Sequence, residues 1–282
     1  MTRIEWPSAL PAYLNPVPAD MPLGCAVHHT LWADKGASDK VCIGENLAAA
    51  EVVRLVAGPD CKSLIQYNAD WFHRDLKSSL EIRGNAGVYF AEAGRQLLGG
   101  VEQSWSWEFA RRDEKYILKD RLLTVAHGTE AMRESLSLIF EELFMNAIID
   151  APREAEKRGV GSTAGASSVM TLTKFGNRVC LSCRDPYGTL KIPKFVGRMD
   201  QVYSQGAGNV INLHSERGGA GLGCVLLFEH STVLALGVED TNRTVVSCVL
   251  PTGLNHRQKD AVRKGLHWIE TGTGTVPGET HE

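Results

Sequence analysis

The chain has 282 residues, 43% hydrophobic and 22% charged, a composition that suits a globular protein with one or two domains. Its 30 basic and 33 acidic residues leave a net charge of −3, which excludes the basic footprint of a nucleic-acid-binding surface. No apolar run approaches the roughly 20 residues that span a bilayer, and the start M-T-R-I-E-W-P lacks the apolar stretch of a secretory leader. A cytoplasmic location is therefore expected, with neither membrane nor nucleic acid among the partners.

Seven cysteines, an odd number spread from Cys25 to Cys248, argue for free thiols rather than a disulfide framework. Cys180 and Cys183 form the only C-x-x-C, within R-V-C-L-S-C-R. Without a second pair, nearby histidines or a helix N-terminus, these read as buried strand cysteines rather than a metal or redox site.

Residues 1–22 carry five prolines, from Pro7 to Pro22, and read as an extended segment. Residues 23–112 read as a small α/β regulatory or partner-binding region. Within it, a helix is expected over 44–58, ended by Gly58, then a strand over 62–67 and a second helix over 88–98 before Gly99-Gly100. His28, His29 and His73 lack metal-ligand spacing and read as ordinary half-buried histidines. Residues 103–113, with Trp105, Trp107 and Phe109 beside a charge cluster, read as a helix docking the two halves, a homodimer interface or a core element.

A long helical stretch is expected from Glu114 to Arg158, broken near Gly128 and stopped by Pro152. Its central part places Leu136, Phe140, Leu143, Phe144, Ala147 and Ile148 on one apolar stripe. Glu142, Asn146 and Asp150 stack four residues apart along the edge of that stripe. A carboxylate, an amide and a second carboxylate there can hold a metal and orient a reacting group, or form an ordinary polar edge.

Two alternating segments joined by Gly176-Asn177 read as an antiparallel hairpin, which delivers Asp185-Pro186-Tyr187-Gly188 at its end. About thirty residues follow, with a helix near 194–203, and their length suggests a lid. They close in Arg217-Gly218-Gly219-Ala220-Gly221-Leu222-Gly223, which runs into an apolar helix. Two strands around D-T-N complete this region, and residues 257–282 read as a basic helix with a disordered tail. By itself the glycine-rich loop reads as a phosphate cradle or as a tight turn. It is neither a Walker loop nor a dinucleotide fingerprint, because no Gly-Lys-Ser/Thr and no βαβ unit accompany it.

In order and spacing, E-E-L-F-M-N-A, Asp185 to Gly188 and Gly218 to Gly223 resemble the asparagine box and two glycine boxes of the histidine-kinase-like ATPases (the Bergerat fold). The resemblance covers residues 113–256. It implies an α+β fold, a two-layer α/β sandwich that binds ATP with Mg²⁺. It implies that Asn146 ligates Mg²⁺, an ion suited to an amide oxygen, and that Glu142 orients or deprotonates the attacking group. Asp185 would accept a hydrogen bond from the adenine amino group, and Gly188 would let the backbone approach the base. Gly219, Gly221 and Gly223, with Leu222 between them, would present backbone amides to the phosphates. Thr244 would assist at the adenine end, and Asp150 would reach the ribose or the lid.

The first glycine box departs from the family's D-x-G-x-G, reading D-P-Y-G-T-L with one glycine displaced. Sensor kinases carry a lysine three residues after the asparagine, where this chain has Ile149, and N-A-I-I is more similar to the anti-sigma-factor serine kinases. His127 is the only candidate phosphoacceptor histidine upstream, and Gly128 stands in place of the usual acidic residue, so autophosphorylation is not expected. The resemblance thus implies a signalling ATPase or kinase that acts on a partner protein. A nucleotide-gated module that sequesters a partner without phosphotransfer, cycling between ATP and ADP, is the alternative, and a scaffold that binds no nucleotide is a third reading.

Overall fold

The computed structural model describes residues 27–32, 40–44, 47–59, 61–66, 71–159, 166–206, 222–239, 242–255 and 263–271. Their strands are β1 (Val27–Trp32), β2 (Lys40–Gly44), β3 (Ser63–Gln66), β4 (Gln103–Phe109), β5 (Ser168–Phe175), β6 (Arg178–Asp185), β7 (Val233–Glu239), β8 (Arg243–Pro251) and β9 (Gly265–Thr271). They form one sheet in the order β1-β2-β3-β9-β7-β8-β6-β5-β4. The pairs β2/β3 and β7/β9 run parallel and the rest antiparallel.

The helices are α1 (Ala49–Ala57), α2 (Phe72–Gly84), α3 (Ala86–Leu98), α4 (Lys115–Val125), α5 (Glu130–Met145), α6 (Ala151–Lys157), α7 (Ile192–Gln205) and α8 (Gly223–Glu229). Successive strand residues point to opposite faces, and both faces are apolar. Leu181, Cys183, Leu234, Leu236, Cys248 and Leu250 pack with the buried stripes of α1, α4, α5, α7 and α8. On the other face Cys180, Ala235, Val245 and Val249 pack with Tyr89, Phe90, Leu97 and Leu98 of α3 and Ile82 of α2. The α+β sandwich expected from the sequence is present, and the α2–α3 pair adds cover on its second face.

The central antiparallel run β5-β6-β8-β7 follows the hairpin expectations. Gly176 takes φ 58° at the β5–β6 turn, where a left-handed conformation suits glycine. α3 is capped at its start by the Asn85 side chain, which accepts from the Gly87 amide, and ends at Gly99 with φ 72°. α1 begins at Ala49 rather than 44, because the Glu51 carboxylate accepts from the Ala48 amide at 2.7 Å and sets the first turn there.

Three expectations are corrected. The basic helix is absent over its described part: Gly265–Thr271 form strand β9, parallel to β7 and antiparallel to β3. Its apolar residues fit a strand buried on both faces, with Leu266 and Trp268 toward one and Ile269 toward the other. Residues 103–109 form an edge strand rather than a helix, because W-S-W-E-F has period two and turns Trp105, Trp107 and Phe109 onto the core. Pro152 does not stop its helix. A π-helical turn over Asn146–Asp150 joins α5 to α6, and Pro152 sits in the first turn of α6, where its missing N–H is not needed.

Strands from residues 23–112 lie at both ends of the sheet, while those after residue 113 occupy its middle, so the sheet is continuous across the expected boundary.

Candidate functional site

The α5 stripe buries Leu136, Phe140, Leu143 and Phe144 against the sheet and leaves Glu142 and Asn146 on its rim. The two are four residues apart on a continuous helix, so their side chains lie on the same edge. Burial pushes the Glu142 carboxyl above its usual range; the Asn146 contact pulls it down and the Asp150 charge pushes it up. Burial and a neighbouring charge of this kind are what favour a carboxyl as a proton acceptor.

The π-helical turn carrying Asn146 packs against β6, and the Cys183 thiol donates to the Leu143 carbonyl at 3.9 Å. α-Helices interrupted in this way often do so at functional positions. The loop after Asp185 is tied back to the same helix, since Arg158 donates to the Thr189 carbonyl at 2.7 Å and Thr189 donates to the Ala151 carbonyl at 3.5 Å.

Asp185 is 8% exposed and faces Thr244 across the β6–β8 ladder. By strand alternation both project toward the α5 side of the sheet. One Asp185 oxygen accepts from the Tyr187 amide at 2.9 Å. The result is an Asx-type turn that places Gly188 at φ 59°. Burial lifts the Asp185 carboxyl to about 6, while the Tyr187 amide and the adjacent Thr244 hydroxyl oppose the rise. Thr244 is 3% exposed, and its hydroxyl lies beside Asp185 without reaching hydrogen-bond geometry with any described group.

The third piece meets the first directly. A Cβ placed on Gly223, the first residue of α8, would overlap the Glu142 carboxyl. Leu222 immediately precedes this point. Gly219 and Gly221 lie outside the described residues, as does the loop that contains them. Asp150 is exposed and pairs with Arg153 at 3.1 Å.

The described part of the site thus brings Glu142, Asn146 and Gly223 together at one helix edge, and pairs Asp185 with Thr244 at the neighbouring strand ends. The π-helical turn, the Arg158–Thr189 tether and the seat of Glu142 on Gly223 were not foreseen. Only Pro152, inside an otherwise helical pattern, marks the first of these in the sequence. Among the described residues no group of three or more His, Cys, Asp or Glu side chains forms a metal cluster. An amide ligand such as Asn146 does not depend on one. No described helix is long and apolar enough to cross a membrane.

Neither the family models nor the curated proteins contain a match to this chain. Among solved structures, a chain of the SiaB–SiaC complex from Pseudomonas aeruginosa is similar over 62% of this chain and 99% of its own length, at 10% identity and a TM-score of 0.38.

Proposed function

We propose that the chain is an ATP-binding signalling protein that uses Mg-ATP to act on a partner protein, as a regulatory kinase of the anti-sigma type. The observation that supports this reading is the placement of the described parts of the boxes: Glu142 lies beside Asn146 on one helix edge and against Gly223, and Asp185 faces Thr244 in register. A buried acceptor beside an unpartnered hydroxyl suits the amino edge of adenine. Asn146 would hold Mg²⁺, which supplies charge neutralisation at the phosphates when bound. Glu142 would take the proton of the attacking hydroxyl, its partly buried position favouring the neutral carboxylic acid after transfer. The acceptor on this reading is a serine or threonine of the partner.

Binding and turnover of Mg-ATP by the wild type and by Asn146→Ala test this assignment. Loss of both in the variant is expected, and an Asn146→Ala chain with full binding and turnover sinks the Mg²⁺ role.

A second reading, nucleotide-gated capture of a partner without phosphotransfer, is favoured by one observation. Asp185 already spends hydrogen-bonding capacity on the Tyr187 amide of its own turn, which supports an adenine end reshaped relative to D-x-G-x-G. Partner affinity that changes between ATP and ADP, with no phosphate transferred, is the outcome that selects it.

A further inference from the structure

The contact between Glu142 and Gly223 carries one inference that rests on the reading above and deepens it. Gly223 stands within the second glycine box, where the resemblance would assign it a backbone contact with phosphate. The structure gives its missing side chain a different use. All three atoms nearest to the position of a Cβ on Gly223 belong to the Glu142 carboxyl group. Gly223 does not occupy the left-handed region that would call for glycine. At the first position of a helix, alanine is otherwise the better residue. The glycine is therefore explained by the carboxyl that lies on it.

We propose that Gly223 is a positioning residue for Glu142: its bare Cα seats the carboxyl beside Asn146, at the point where the glycine-rich segment meets α8. The contact joins the carboxyl on α5 to the first residue of α8. The obstructing atoms are the tip of a flexible side chain, so Gly223→Ala folds by pushing the carboxyl aside, and the change appears at the site rather than in the core.

The test is a double-mutant cycle on the full chain with Gly223→Ala, Glu142→Ala and the pair, read by melting temperature, Mg-ATP binding and turnover. In the Glu142→Ala background, Gly223→Ala raises the melting temperature, as expected for a helix position freed of its neighbour. In the otherwise wild-type chain that gain is absent or reversed. Gly223→Ala lowers kcat about as far as Glu142→Ala does while Mg-ATP still binds, and the double variant is no worse than Glu142→Ala alone, because the two act as one unit. Equal stability effects of Gly223→Ala in both backgrounds overturn the seat. A double variant whose losses multiply, with Mg-ATP binding lost on Gly223→Ala alone, overturns the positioning role in favour of a direct phosphate contact. A wild-type chain that neither binds nor turns over Mg-ATP overturns the proposed function and the catalytic meaning of the seat, and the stability arm of the cycle distinguishes that failure from absence of the contact.

Discussion

Asp185 and Thr244 are register partners across β6 and β8, and the two side chains form a buried polar pair at the end of the sheet, 8% and 3% exposed. The carboxyl is held up to about 6 by burial, and the hydroxyl beside it has no hydrogen-bond partner among the described groups. Everything proposed for the adenine end of the site follows from this pair.

Its pH dependence has a defined sign. The Asp185 carboxyl titrates at about 6 in the folded chain against 3.8 for the ordinary group, so the native state holds the proton more tightly than the unfolded state. Its contribution to stability, about 3 kcal/mol, is fully present below about pH 4 and is lost as the pH rises through about 6. Asp185→Asn should flatten the stability profile between pH 4 and 6 in urea titrations. The ionised carboxylate is the stronger acceptor for a base amino group, so Mg-ATP affinity should fall as the pH drops below about 6. Calorimetry between pH 5 and 8 checks this, and an affinity that is flat across the range contradicts the role of Asp185.

Arg178 is fully buried on the opposite face of the sheet, where its Nη1 donates to Asp75 at 2.6 Å and its guanidinium carbon lies 5.3 Å from the centroid of the Trp71 ring. Its Nε and Nη2 have no hydrogen-bond partner among the described groups. Removing the carboxylate leaves an uncompensated buried cation, so Asp75→Asn should cost about 3 kcal/mol or more. Replacing both residues, Asp75→Leu with Arg178→Met, should cost less than Asp75→Asn alone. Urea unfolding of the three variants decides it.

Lys264 lies just before β9 and is 6% exposed, with Nζ donating to the carbonyls of Phe228, Glu229 and Ser231 at 3.1, 2.6 and 2.8 Å. The ammonium thereby satisfies carbonyls at the C-terminal end of α8, where a cation is also favoured by the helix dipole. Lys264→Met keeps much of the side-chain volume and strands those carbonyls. A loss of about 1–3 kcal/mol is expected in thermal or urea unfolding, and an unchanged midpoint contradicts the capping role.

The parts of this fold that were legible in the sequence are those with a clean local period. The hairpin around Gly176-Asn177, the β7–β8 pair and the α5 stripe carry strict alternation or helical spacing, and each formed where the pattern placed it. Short segments with little polar alternation were less legible. β2, with K-V-C-I-G, has a parallel neighbour, β3, about twenty residues further along the chain, whereas β3 itself formed within the strand expected over 62–67. β9 was read as a helix because it follows basic residues, yet β3 and β7, far away in sequence, claim its backbone hydrogen bonds. α2 carries no clean apolar stripe in the sequence, because Ser78 and Ser79 are buried along with Phe72, Leu76 and Ile82.

The candidate site follows the same logic. Glu142 and Asn146 could be paired from their spacing on one helix, and Asp185 could be placed at a strand end from the hairpin. Their mutual arrangement could not. The π-helical turn depends on how α5 and α6 pack against β6, and the Glu142–Gly223 contact joins residues 81 positions apart.

The central claim is that this end of the sheet binds Mg-ATP, and thermal unfolding with and without Mg-ATP, beside Asp185→Asn, tests it most directly. A ligand at about 100 times its dissociation constant stabilises the native state by about 2.7 kcal/mol, which for a chain of this size is a rise of several degrees in Tm. The account predicts that rise in the wild type and its loss in Asp185→Asn. An unchanged Tm at millimolar Mg-ATP would contradict it and leave the fold as a scaffold without a nucleotide.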